Sequence, residues 1–253
     1  MKKLKEFLKT QYAEFKKLPA YLVALSAISV VLMNILANKT LYSDGRYLSL
    51  DCGFLISWIL FLTMDVATQK YSGRASFILT IFDIIIALAF SGIMALVALI
   101  PESSVTGWFQ NEDIAVALNG VIGSNYLVVL TSLLAFACSS GVDIVINIGI
   151  GKVFEKTNSF NGRAKEKSFK GFLIYFFRAY GSTFFSQLVD NLIFQMIAYP
   201  LLFKMPCTPF SVFIGALLGA VFELVMEILF APVGFFLILK KDKKEEEILD
   251  RHD

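Results

Sequence analysis

Seven ionisable side chains stand inside long, otherwise uncharged stretches of this chain: Asp65, Asp83, Asp143, Arg178, Asp190, Glu223 and Glu227. At a bilayer centre each costs about 2.5–3.5 kcal/mol on insertion scales, so facing lipid the set would cost roughly 17–25 kcal/mol. They must therefore face a protein interior or a wet cavity, where carboxylates and a guanidinium can bind a ligand, pair with one another or carry an ion. Helical spacing sorts them further. Thr183, Ser186, Gln187, Asp190 and Phe194 fall on one line at 100° per residue, a polar stripe ending in an aromatic ring. Ser132, Ser139, Ser140, Asp143 and Asn147 form a second stripe. Glu223 and Glu227 are one turn apart; like carboxylates at that spacing repel unless a proton, a sodium ion or hydrogen-bond donors intervene, so a coupling-ion site and a structural pair are both open. For Arg178 the alternatives are a structural ion pair with Asp83 or Asp143, which lie at similar depth, and a ligand contact. Asp65, with Lys70 and Arg74 just beyond it, reads as a structural residue at a membrane boundary.

The elements that must position these groups follow from composition. Of 253 residues, 57% are hydrophobic and 17% charged, against roughly 45–50% and about 25% in soluble domains. A spanning helix needs about 20 mostly apolar residues. Six segments qualify: Ala20 to Ala37, Cys52 to Gln69, Ala75 to Ile100, Ser124 to Phe154, Gly171 to Phe203 and Thr208 to Leu239. The fold class is thus an all-α polytopic membrane protein with six transmembrane helices. A break is expected near Gly120, Gly123 and Ser124, and a kink at Pro232. Residues 1–17 form a cytoplasmic amphipathic segment, 18–239 the transmembrane domain and 240–253 a charged cytoplasmic tail. Placing both termini inside puts 19 Lys and Arg on the inner side and three on the outer, which is the orientation that cytoplasmic retention of basic residues demands. Ser139, Val142, Asp143 and Ile146 match Ser186, Val189, Asp190 and Ile193 at identical spacing, on helices that run in opposite directions. An inverted repeat framing a midplane site has that appearance, and so does a chance likeness of two apolar helices.

Several chemistries are excluded. The single histidine, His252, removes His-based triads and His-rich metal sites. Cys52, Cys138 and Cys207 have no zinc or disulfide spacing and read as buried thiols. Gly149, Gly151 and Lys152 imitate the end of a phosphate loop, but Ile146 and Val153 occupy its first Gly and its Ser/Thr positions, so no ATP and no other cofactor is called for. A net charge of +2 names no nucleic-acid partner. A membrane enzyme would need an array such as paired D-x-x-D motifs or a Ser/His dyad, which the sequence lacks.

Three stretches, TMDVATQKYSGR, SLLAFACSSGVD and FRAYGSTFFSQLVDNLIFQMIAY, followed by a last helix with a late proline, resemble the vitamin uptake (VUT) family, whose best understood branch transports queuosine precursors. Its approximate pattern D-V-x-T-E-x-Y-G is matched by Asp65, Val66, Thr68 and Tyr71, and S-Q-x-x-D-T-x-I-F by Ser186, Gln187, Asp190, Ile193 and Phe194. Gln69, Ser72 and Asn191 depart from these patterns, and Glu223 stands where a basic residue is expected. The resemblance implies a six-helix carrier in the bacterial cytoplasmic membrane for small heterocycles such as 7-deazaguanines, not an enzyme. Together the stripes and the resemblance give as candidate substrate residues Asp190, Gln187, Ser186, Asn191, Asp143, Arg178 and Phe194, with Glu223 and Glu227 as candidate ion-coupling residues and Asp65 as a structural motif residue. Beyond substrate and membrane lipid, the expected partner is a coupling proton or sodium ion; a homodimer and a separate energising ATPase complex are both left open.

Overall fold

The structure, a computed structural model, describes residues 10, 12–43, 49–100, 112–157, 169–201 and 208–239. Its elements are α1 (Ala20–Leu36), β1 (Thr40–Ser43), β2 (Ser49–Asp51), α2 (Phe54–Val66) running into a π-helical turn (Ala67–Tyr71), α3 (Gly73–Val97), α4 (Glu112–Thr157), α5 (Phe169–Leu201) and α6 (Pro209–Leu239). The main packing contacts run round the bundle in the order α1, α2, α6, α5, α4, α3 and back to α1. Every residue from Leu60 to Thr68 is buried, so the second half of α2 is enclosed on all sides. A helix that is apolar all round belongs in such a position. Trp58 of α2 stacks on Phe230 of α6 at 3.8 Å between ring centroids, while its Nε1 donates to the Leu55 carbonyl.

Outward faces carry the apolar rows expected of helices in lipid. On α3 the exposed Phe77, Ile81, Ile85 and Leu88 recur at helical spacing. Gly73–Val97, Tyr126–Val153 and Pro209–Phe230 are, among the described residues, the three helices long and apolar enough to cross a membrane. The other expected spans differ for identifiable reasons. α1 has 17 residues. α2 has 13 before the π turn begins. α5 is 33 residues long, but its inward face is the polar stripe.

The sequence reading did not anticipate the element that joins α1 to α2: β1 and β2 form an antiparallel ribbon pairing Thr40 with Asp51. β-Branched and aromatic residues there suit a strand, and the ribbon delivers Asp51 to the head of α2. The break near Gly120 and Gly123 is absent, for α4 runs 46 residues without interruption. A helical glycine costs only about 1 kcal/mol relative to alanine, and here the backbone ladder outweighs it. Cys52 is buried as expected, but Cys138 is exposed on the outward side of α4. The expectations for residues 1–9, 101–111, 158–168 and 240–253, which include the charged tail and loops that set the orientation, lie outside the described residues, as does Cys207.

Pro232 lies inside α6, where it cannot donate to the carbonyl of Ile228. Tyr180 fills that vacancy: its hydroxyl donates to the Ile228 carbonyl at 3.3 Å and reaches the Glu227 carbonyl at 3.5 Å. Two residues later Gly234 lets Tyr175 lie directly on the α6 backbone; a Cβ there would overlap the Tyr175 hydroxyl. Gly234→Ala is therefore expected to lower stability by about 1–3 kcal/mol in detergent unfolding, as overpacking does. Adding Tyr175→Phe should recover part of that loss, and an unchanged midpoint for Gly234→Ala would remove Tyr175 from the packing argument.

Candidate functional site

The two polar stripes face each other. Ser139 Oγ of α4 donates to Asp190 Oδ1 of α5 at 2.8 Å, Asn147 Nδ2 is 3.4 Å from Ser182 Oγ, and Gly151 leaves room for the Arg178 guanidinium. Each step of four along α4 thus meets a step of four back along α5, the geometry of two antiparallel helices whose i, i+4 rows interlock. In this register Asp143 stands opposite Ser186, yet Ser186 Oγ donates to the Thr183 carbonyl and both Asp143 oxygens receive no hydrogen bond.

At one end of the stripe the helices part around a partly open cavity of about 70 Å³, counted as room for the centre of a water-sized sphere. Three carboxylates border it: Asp51 from the ribbon, Asp190 from α5 and Glu223 from α6. Glu223 accepts from Ser57 Oγ through Oε1 and from Asn191 Nδ2 through Oε2, both at 3.2 Å. Asn191 reaches it because Gly219 has no side chain to hold it off. Gln187 is buried on the wall with its Nε2 unpartnered. Phe54, Phe61, Phe136 and Phe194 supply the apolar walls, Phe61 meeting Phe136 edge-on at 81°. Ser57, Asn191 and Ser139 spend donors on holding the carboxylates and Gln187 Nε2 is left over, so the cavity offers carboxylate acceptors and one amide donor between flat rings. It suits a planar ligand rich in N–H groups.

Asp51 accepts from the backbone N–H of Gly53 at 2.7 Å, a short Asx turn at the head of α2. Burial nevertheless pushes its carboxyl up to about 6 from the ordinary 3.8. The sign of the linkage follows: with the folded value raised, the contribution to stability is full below pH 3.8 and is lost as pH rises through about 6. Asp51→Asn is thus expected to stabilise the ligand-free protein at pH 7.5, by about 3 kcal/mol at most at 1.36 kcal/mol per pH unit, with the gain vanishing by pH 4. Thermal unfolding at the two pH values measures it. A gain of equal size at both would show that the charge is not responsible.

About 12 Å further along the bundle, the distance spanned by eight helical residues, lies a second polar cluster. Asp65 of α2, fully buried, accepts from Asn147 Nδ2 at 2.6 Å and Ser182 Oγ at 3.4 Å through Oδ1. Arg178 donates from Nε and Nη2 to Asn147 Oδ1 at 3.2 and 3.0 Å. Glu227 Oε1 accepts from Thr183 Oγ1 at 2.9 Å. Tyr175 and Tyr180 border the same acids.

The predicted site residues therefore divide. Asp190, Gln187, Asn191, Phe194 and Glu223 line the cavity; Asp143, Arg178, Glu227 and Asp65 belong to the deeper cluster; Ser186 is buried and bonded within its own helix. The ion pair of Arg178 with Asp83 or Asp143 is corrected. Asp83 accepts instead from Ser26 of α1, and Arg178 meets Asn147. Equal depth did not mean a shared face. Asp65 is fully buried, with partners on α4 and α5 and Glu227 of α6 beside it. Asp51, Ser57 and Phe136 were not anticipated; the one signal was the D-x-G turn of Asp51 to Gly53 immediately before an apolar run.

A family model described as "Putative vitamin uptake transporter" matches residues 51–237. No curated protein and no solved structure matches the chain.

Proposed function

The chain belongs to the vitamin uptake transporter family, whose members are multi-pass helical membrane proteins, and from that premise we propose that it imports a queuosine precursor of the 7-deazaguanine type or a related purine-like heterocycle. The observation that carries this reading is the cavity in which Asp190, Glu223 and Asp51 present acceptors between phenylalanine rings. A guanine-like edge offers two adjacent N–H donors, which one carboxylate accepts together; Asp190 is that carboxylate, Gln187 and Asn191 read neighbouring ring atoms, and Phe194 and Phe136 cover the ring faces. Six spans, cytoplasmic termini and a bacterial cytoplasmic membrane complete the proposal, as does descent of α4 and α5 from an inverted repeat, which their symmetric register supports.

Thermal unfolding of the detergent-purified protein against 7-deazaguanines, nucleobases and vitamins tests it. A ligand at 100 times its Kd stabilises by about 2.7 kcal/mol. Stabilisation by 7-deazaguanines together with their uptake into liposomes holding this protein alone is the expected result. Stabilisation by an unrelated vitamin only would replace the substrate, and binding without uptake would point to a separate energising complex.

A further inference from the structure

We propose that Asp65 and Glu227 form a single proton-binding site, separate from the substrate cavity, and that the proton held between them is the one that drives transport. The inference rests on the transporter reading above and adds to it where the energy enters.

Three buried acids, Asp65, Asp143 and Glu227, are at most 2% exposed. The carboxyl groups of Asp65 and Glu227 lie within hydrogen-bonding reach of each other. Each uses one oxygen for donors: Asp65 Oδ1 takes Asn147 and Ser182, and Glu227 Oε1 takes Thr183. The remaining oxygens, Asp65 Oδ2 and Glu227 Oε2, receive no N–H or O–H from any described group. Two acceptors so placed, one on each acid, are satisfied by a proton shared between them, and two bare carboxylates at that separation repel. Asp143, beside Asp65 and with neither oxygen receiving a hydrogen bond, is the third acid of the cluster.

The groups that face the pair fit a proton rather than a metal cation. They are Asp143 from α4 and Arg178, Tyr175 and Tyr180 from α5. Arg178 is linked to Asp65 through Asn147 and offsets one of the three negative charges, leaving the cluster short of positive charge by an amount protons supply. Among the described residues no three acidic, His or Cys side chains converge as metal ligands.

Coupling follows from shared helices. Glu227 is one turn from Glu223, α5 carries Thr183 as well as Asp190, and α4 carries Asn147 as well as Ser139. Loss of the proton sets Asp65 of α2 against Glu227 of α6, the two helices that flank the cavity through Ser57 and Glu223. Repulsion there alters the packing that shapes the cavity, so the occupancy of one site biases the other.

The test has two arms on the full-length protein. Infrared difference spectra across a pH titration need no substrate: the wild type should show one protonated-carboxyl band that both Asp65→Asn and Glu227→Gln remove, that Thr183→Val shifts and that Asp190→Asn leaves in place. In liposomes clamped at zero membrane potential, a one-unit pH gradient should drive up to tenfold accumulation of 7-deazaguanine per coupled proton. Glu227→Gln should lose the accumulation while retaining substrate binding and counterflow. Should Asp65→Asn fail to fold, Thr183→Val and Glu227→Gln still decide the question. A band untouched by these variants, or accumulation driven by sodium and indifferent to pH, overturns the proposal. Absence of 7-deazaguanine binding to the wild type, with the band behaving as described, refutes the substrate reading and leaves the proton pair standing.

Discussion

Asp190→Asn is expected to abolish uptake of 7-deazaguanine while leaving the ligand-free protein as stable as the wild type. The substitution keeps the shape of the side chain and one oxygen, so Ser139 Oγ can still donate as it does at 2.8 Å to Oδ1. What changes is the second atom, from an acceptor to an N–H donor aimed at the ligand's own donors. Charge-assisted hydrogen bonds contribute roughly 1.5–3 kcal/mol each. Loss of two weakens binding by at least about a hundredfold, at 1.4 kcal/mol per tenfold. Calorimetric binding and liposome uptake measure the effect. Near-normal uptake would remove Asp190 from the substrate site, and a fall in apo stability would assign it to structure.

Arg178→Gln should damage the protein in the opposite sense, through folding. Arg178 is 8% exposed and its guanidinium forks onto Asn147 Oδ1, whose amide in turn holds Asp65. Removing one partner from a buried charge network costs about 3–5 kcal/mol, because the remaining charges stay buried without compensation. Lysine should not substitute, since a point charge on a flexible stem lacks the paired Nε and Nη donors. A second change, Asp65→Asn, removes one uncompensated negative charge and should restore much of the unfolding midpoint. If Arg178→Gln unfolds within 1 kcal/mol of the wild type, the network does not carry the energy assigned to it.

What could be read from the sequence was the part encoded in one helix at a time. The stripe of Gln187, Asp190 and Phe194 is visible because charge among apolar residues is costly and 100° spacing gathers it on one face; these residues line the cavity. Glu223 and Glu227 show the opposite case. They differ by only about 40° on the helix and look like one pair. The structure gives Glu223 to Ser57 and Asn191 and Glu227 to Thr183, because the neighbours that meet each turn of α6 are different. The same holds for Arg178, which depth alone placed beside Asp83 or Asp143, and for Asp51, whose position depends on a strand pairing between residues outside the apolar segments. Register between helices and ribbon is a tertiary fact, and no periodicity within an element contains it.

The enclosure of α2 has a consequence for how the chain is made. This segment leaves the ribosome early, yet one of its flanks is covered by α6, the last of the elements named above; Ser57 and its partner Glu223 are 166 residues apart. At roughly 5–20 residues per second, some 8 to 30 s of synthesis separate them. During that interval a 13-residue helix carrying Asp65 has neither its covering helix nor its full set of polar neighbours. Nascent chains halted before α6 should therefore hold α2 poorly in the bilayer and be drawn to the insertion machinery or to quality-control proteases, whereas α3, with its own apolar outer face, should be lodged from the moment it emerges.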